Sequence, residues 1–205
     1  MGKASSHEVS AHLSQRFVRR EERSAGLLKG AGRPARTIPE DVATIDLRGL
    51  NLAAPPPPGS HLAGAQLNGL SMTNAPLAGT RFDRCSLSSA DLSGCDLAGS
   101  EFVSCTAPHL RLDNANLADS LVVGTDLSGS SLAGVDFRGA VIVGGSMARA
   151  NLVGADLRNA VVSNLDLRGA NLAYAQLAGT KGDFIYDVCT IWPAGFRPDE
   201  VTAAG

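Results

Sequence analysis

Aromatic side chains are scarce. They make up 4 % of 205 residues, with a single Trp. A wide interior needs large side chains to fill it, so the composition excludes a thick core and suits one barely wider than a Leu. Long apolar runs are missing too. None approaches the ~18 residues that cross a bilayer as a helix, and the N-terminus lacks the apolar core of a secretory signal. No membrane association is expected, and a cytoplasmic location is. Charge of one sign is also lacking. The net is −2, which sets up no overall field toward nucleic acid, and no direct nucleic-acid binding is expected. Catalytic constellations are absent as well. The sequence has no Ser-His-Asp arrangement, no Gly-rich phosphate loop after a strand and no metal-ligand cluster. It therefore predicts no enzyme, no cofactor and no metal. His7, His12, His61 and His109 form no group.

What is present is a phrase of five residues, repeated without a slip of frame from 45 to 179. Samples read Ala90-Asp91-Leu92-Ser93-Gly94, Ala150-Asn151-Leu152-Val153-Gly154 and Ala170-Asn171-Leu172-Ala173-Tyr174. Of 27 centres from Leu47 to Leu177, 25 are Leu, Ile, Val, Met or Phe; only Pro57 and Ala107 depart. The residue two before the centre is small in 21 phrases. The one just before it is Asp or Asn in 11, and the one two after it is Gly in 15. A period of five fits neither regular element. On a helix the centres would wind around every face, and on a straight strand they would alternate between the two sides. The chain must turn after every phrase, with the centre and the small residue inside and a turn-tolerant residue at the bend. Successive coils then pair their backbones at about 4.8 Å, which makes a solenoid stabilised coil by coil.

The spacing of outward residues gives the coil length. Leu121-Val122-Val123, Val141-Ile142-Val143 and Val161-Val162 recur at 20, as do Phe82 and Phe102. Four phrases therefore make one coil. About seven coils follow, roughly 32 Å in all at the strand spacing.

These repeats resemble the pentapeptide-repeat family, whose pattern is Ala-Asp/Asn-Leu-x-x. The resemblance implies an all-β fold, a right-handed quadrilateral β-helix, and no catalytic residues. Its best-understood members bind DNA gyrase or topoisomerase IV as mimics of duplex DNA, protecting them from quinolones or peptide toxins. Thr190-Ile191-Trp192-Pro193-Ala194-Gly195-Phe196 is similar to a Thr-x-Trp-Pro-x-Gly-Phe tail that follows the repeats in many bacterial members.

Three segments result. Residues 1–44 carry eight Lys/Arg and five Asp/Glu, with Val9, Leu13 and Phe17 at helical spacing beside Arg16, Arg19, Arg20 and Arg23. They are a basic segment, helical in part or disordered. Residues 45–180 are the β-helix, with irregularities expected at 55–58 and 105–109. Pro55–Pro58 removes four backbone donors, which suits a terminating edge, with the regular stack starting at Ser60. At Ala107-Pro108-His109 the sequence predicts a kink or bulge around a partly emptied core position. Residues 181–205 form a capping tail in which Trp192 and Phe196, with Phe184, Ile185 and Tyr186, cover the last coil.

Cysteines number four. Cys85, Cys95 and Cys105 take the small interior position; Cys85 and Cys105 fall in stacked coils within reach of a disulfide, and Cys95 on the opposite wall. They read as small buried thiols in place of Ala. Cys189 lies in the tail.

Function has to come from the faces. Val103, Val123 and Val143 form one outward column, with Leu121, Val141 and Val161 beside it. That is an apolar patch of a few hundred Å², large enough for an interface with a protein partner, or with a second copy in a homodimer. A second column holds Asp96, Asn116, Asp136 and Asp156, with Arg138 and Arg158 nearby. It could be one row of a DNA-mimicking face presented to a topoisomerase. Duplex DNA would carry about 19 negative charges over 32 Å, whereas residues 45–180 hold 11 acids and 8 Arg. The reading is therefore a scaffold for a protein partner, with the topoisomerase-binding mimic as the alternative.

Overall fold

The computed structural model describes residues 55–198. Every fifth residue from Gly59 to Gly179 has a left-handed backbone, with φ between 51° and 76°. It is the residue two after each centre. These bends fold the chain into a four-sided parallel solenoid. One side carries seven short strands: β1 His61–Ala63, β2 Arg81–Asp83, β3 Glu101–Val103, β4 Leu121–Val123, β5 Val141–Val143, β6 Val161–Asp166 and β7 Lys181–Ile185. They form one sheet in sequence order, each residue paired with the one 20 positions on from β1 through β5 into β6. The other three sides stack through single bridges at the same spacing, for example Ser86 on Thr106, Asp91 on Arg111 and Asp96 on Asn116. The period of 20 is as expected, and six complete coils lie between β1 and β7. The segment 45–54, where a seventh was expected, and residues 1–44 lie outside the described residues.

Before the last coil the phrases share one pattern of backbone bonds. The centre amide donates to the coil above (Leu67 N to Ser86 O, 2.7 Å), as does the corner amide (Gly69 N to Ser88 O, 2.9 Å). The amide before the centre donates to the coil below (Ser86 N to Ala65 O, 2.9 Å). On the three bridged sides a turn bond closes the phrase, as from Leu70 N to Leu67 O at 3.1 Å. Only the amide just after the centre has no ladder partner on those sides. There an Asp, Asn or Ser before the centre caps it: Ser93 N donates to Asp91 Oδ1 at 3.0 Å, and Ala148 N to Ser146 Oγ at 3.1 Å. The Asp of the repeat is first of all a turn device.

That geometry corrects the expectation at 105–109. Ala107 is fully buried, its amide bonds Asp126 O at 2.8 Å, and Thr106 bridges both neighbouring coils in register. Pro108 sits just after the centre, where the ladder needs no N–H, and its carbonyl still accepts from Ser89 N at 3.0 Å. The chain does not kink. The break in register falls instead between Val162 and Leu165, where β6 meets β7. At the first coil, Gly59 N already donates to Ala78 O at 2.9 Å, so stacking starts one residue before Ser60.

Centres and small residues line the core. Leu70, Leu77, Leu92, Leu97 and Phe137 have no exposed surface. Phe82 and Phe102 stack with centroids 4.7 Å apart, as their spacing implied. Each fully buried Leu contributes about 1.5–3 kcal/mol of transfer free energy against the conformational entropy of its coil. Cys85, Cys95 and Cys105 are free and buried, so the stacked pair is not a disulfide. Each thiol donates to the carbonyl of a centre one coil back: Cys85 to Leu62 O (3.2 Å), Cys95 to Met72 O (2.8 Å), Cys105 to Phe82 O (3.3 Å). Thr125 and Thr180 make the same bond to Phe102 O and Leu157 O. Burial pushes the Cys95 thiol up, and the bond with Cys85 together with burial pushes up Cys105, so neither acts as a nucleophile at neutral pH.

Three hydroxyls in one interior column, Thr80, Ser100 and Ser120, are fully buried and have no hydrogen-bond partner among the described residues. Ala140 and Ala160 continue that column. A buried hydroxyl without a partner costs desolvation and returns nothing. Replacing Ser100 and Ser120 with Ala is therefore expected to leave the melting temperature unchanged or raise it. Gly145→Ala should do the reverse. Its φ is 81°, and an added Cβ would collide with the Thr125 carbonyl oxygen. We expect a loss of at least about 2 kcal/mol in chemical denaturation. Equal stability of the Gly145 variant would contradict the close approach of this interior position to the Thr125 backbone.

Candidate functional site

With the core filled, chemistry is confined to the sides. On the strand side, residues flanking the centre point outward because strand side chains alternate. Stacking in register turns them into columns: Glu101, Leu121, Val141 and Val161 in one, Val103, Val123, Val143 and Ser163 in the other. The structure thus brings all six aliphatics expected from the sequence onto one side. Val103, Leu121, Val123, Val143 and Val161 are partly exposed. Val141 departs from the expectation of an open outward residue. It is 3 % exposed, in the middle of its column between Leu121 and Val161 at the strand spacing. Charged residues bound the patch. Arg81 Nη1 meets Glu101 Oε2 at 2.9 Å, Arg84 Nε meets Asp83 at 3.4 Å, and Lys181 and Asp183 stand at the other end.

A second side carries the polar column. Asp96, Asn116, Asp136 and Asp156 bridge in that order, and Asn116 Nδ2 donates to Asp96 Oδ1 at 3.0 Å. Each also accepts the amide two residues on, from Ala98, Ala118, Arg138 and Arg158. Two of the carboxylates are clamped. Arg138 Nε and Nη2 donate to Asp136 at 2.9 and 2.6 Å, and Arg158 does the same to Asp156. The clamp is local, set by Asp-x-Arg across one turn. It recurs at Asp166–Arg168 on another side, with Nη2 2.6 Å from Oδ2. That third pair was not singled out from the sequence, although its Asp-x-Arg spacing is the signal that finds it. Planar forks of this kind match a carboxylate well. Two of the column's three carboxylates are therefore compensated by their own Arg, and Asp96 is bridged to the neutral Asn116.

At the C-terminal end, Trp192 touches three rings: Phe184 and Tyr186 at centroid distances of 5.6 Å, and Phe196 at 5.2 Å. Phe184, Trp192 and Phe196 pack against the end of the core, while Ile185 and Tyr186 keep 46 % and 40 % exposure. Among the described residues no group of His, Cys, Asp and Glu could hold a metal ion, and no helix is long and apolar enough to cross a membrane.

The clamps carry a pH signature. Hydrogen bonds from Arg138, Arg158 and Arg168 hold Asp136, Asp156 and Asp166 below the ordinary carboxylate value. A depressed pKa stabilises the fold above the unfolded value of about 3.9, and that contribution is lost as pH falls through the folded value. The double variant Asp136→Asn, Asp156→Asn should melt lower than wild type at pH 7. Its melting temperature should also fall less steeply between pH 5 and pH 2. Parallel curves for the two proteins would contradict the assignment.

Comparison with known proteins points the same way as the geometry. A family model described as pentapeptide repeats matches in eight copies over residues 60–99, 111–145 and 146–181, more than half of the chain. No curated protein matches by sequence. Among solved structures, the chain is similar to HetL, a pentapeptide repeat protein involved in heterocyst differentiation regulation from Nostoc sp. strain PCC 7120. The two are 24 % identical over 60 % of this chain and 59 % of that one, with a TM-score of 0.41. It is also similar to alr5209, a pentapeptide repeat protein from Nostoc, at 32 % identity over 47 % of this chain and 81 % of that one, TM-score 0.46. Trypsin-treated QnrB1, a plasmid-mediated fluoroquinolone resistance protein, is 20 % identical over 62 % and 74 %, TM-score 0.38.

Proposed function

The chain belongs to the pentapeptide-repeat family, and on that premise we propose that it is a non-catalytic interaction module whose strand side docks a protein partner. One observation carries the reading: outward aliphatics stacked in register on four neighbouring coils, on a flat side three residues wide. A polar solenoid gains nothing by presenting such a strip to water, and a partner that covers it removes apolar surface at about 25 cal/mol per Å². Charged pairs at the rim suit orientation more than affinity.

Mimicry of duplex DNA toward a topoisomerase is the second reading, and the Asp96–Asp156 column is what favours it. The Arg138 and Arg158 clamps weigh on the other side, because they neutralise half of that four-residue column, two carboxylates out of three. A DNA mimic needs closely spaced, uncompensated negative charge.

The test uses the double variant Val123→Asp, Val161→Asp. Both residues are partly exposed, so its melting temperature should stay within a few degrees of wild type. It should lose whatever associated species the wild type shows, by light scattering of the protein alone and after incubation with lysate of the source organism. Identical masses and identical retained proteins for the two would overturn the docking role. In a gyrase supercoiling assay, micromolar wild-type protein should neither inhibit the enzyme nor rescue it from a quinolone. Inhibition or rescue would put the mimic first.

A further inference from the structure

One corner of the solenoid holds a groove of about 530 Å³ that belongs to neither face above. It is lined by His109, Ser128, Gly129, Ala148, Arg149, Arg168, Gly169, Asp187 and Cys189. The construction follows from the left-handed corner. Side chains there can lie along the solenoid axis toward the next coil where the residue 20 positions on is a glycine. His109 and Arg149 are corner residues with φ of 58° and 59°. A Cβ on Gly129 would stand 2.7 Å from His109 Nδ1, and one on Gly169 would stand 3.4 Å from Arg149 Cγ. The imidazole and the arginine stem therefore lie over the two glycines. Cys189, four coils beyond His109 and roughly 19 Å from it at the strand spacing, closes the end.

The donors outnumber the acceptors. Arg149 makes no ion pair or hydrogen bond with its side chain among the described residues. Arg168 spends Nε and Nη2 on Asp166 and keeps Nη1. Asp187 is the groove's one carboxylate, and protein donors already occupy it: Gly169 N at 2.9 Å, Cys189 N at 3.0 Å and Thr190 Oγ1 at 3.2 Å. All three bonds fall on Oδ1, and the one from Gly169 N does most to hold the carboxyl below its ordinary value. What faces an incoming molecule is a free guanidinium, part of a second one, an imidazole and the Ser128 hydroxyl, with Asp187 Oδ2 at the Cys189 end and Gly129, Ala148 and Gly169 between them. A guanidinium fork matches an oxyanion, and the volume is that of a small-molecule site.

We propose that this groove binds a small anion, a carboxylate or phosphate on a short apolar body, with the oxyanion on Arg149. Cys189 supplies a built-in reporter, because Cys85, Cys95 and Cys105 are buried and Cys189 is exposed. Its rate of reaction with a dianionic nitrobenzoate disulfide and with a neutral dipyridyl disulfide is compared with the rates of a free peptide of sequence 186–192. In the folded protein the anionic reagent should gain at least about fivefold over the neutral one. Arg149→Gln, at an exposed position, should abolish that gain with the melting temperature unchanged. Inorganic phosphate and benzoate should slow the anionic reagent more than sodium chloride does at equal ionic strength, and whichever acts at the lower concentration identifies the head group. An unchanged ratio in the Arg149 variant would overturn the site. So would failure of both anions to exceed the salt control.

Discussion

The structure depends on one backbone constraint: a left-handed residue at every fifth position from 59 to 179. It turns the chain after each centre, so that a period that suits neither helix nor strand can bury every Leu. It also sets which amides point along the axis into the ladder and which one points out. Eleven of these corners are not glycine, among them Arg84, Ser89, Ser104, His109, Arg149 and Tyr174. Each costs on the order of 1 kcal/mol, which the ladder and the core offset coil by coil. Corner side chains also couple neighbouring coils, because a long one lies over the residue 20 positions on. Asn114 over Gly134 and Arg149 over Gly169 follow the same rule.

Much of this was legible from residue spacing. The inward centres and small residues, four phrases to a coil, and the Phe82–Phe102 stack all follow from periods of five and 20, because a solenoid converts sequence distance directly into stacking. Pro108 was misread for a reason the ladder makes plain. Proline is damaging only where its missing N–H was needed, and on the bridged sides the amide after the centre is outside the ladder. The real break in register, between Val162 and Leu165, arises where the β6 side meets a tail outside the repeat, and no local signal in residues 161–166 announces it. Free cysteines were legible as substitutes for Ala. Their bonds to centre carbonyls one coil back were not, since these depend on rotamers.

The faces were legible as columns but only partly as chemistry. Outward aliphatics from 103 to 161 fall on one side because they share a phase of the 20-residue period. That Val141 is nearly covered was beyond the pattern. The stacking of the polar column follows from the 20-residue period, and the Asp-x-Arg spacing signals compensation; the structure adds that each clamp is bidentate and that the Asp caps its own turn as well. The corner groove could not be read at all. It draws residues from positions as distant as 109 and 189 and depends on which of their neighbours lack a Cβ. Three sides of the rod are polar, the fourth carries the aliphatic columns and one corner carries the groove, and neither feature asks the core to change.

The central claim is that all four sides are held by one ladder, although only one side has regular strands. Residue-by-residue amide exchange by NMR tests it most directly. The account predicts slow exchange on every side with a period of five: Leu127, Gly129, Ser130 and Ser131 protected like Leu132, Gly134, Val135 and Asp136, and both groups as slow as the strand side. Protection confined to the strand side, with the three bridged sides exchanging freely, would contradict it.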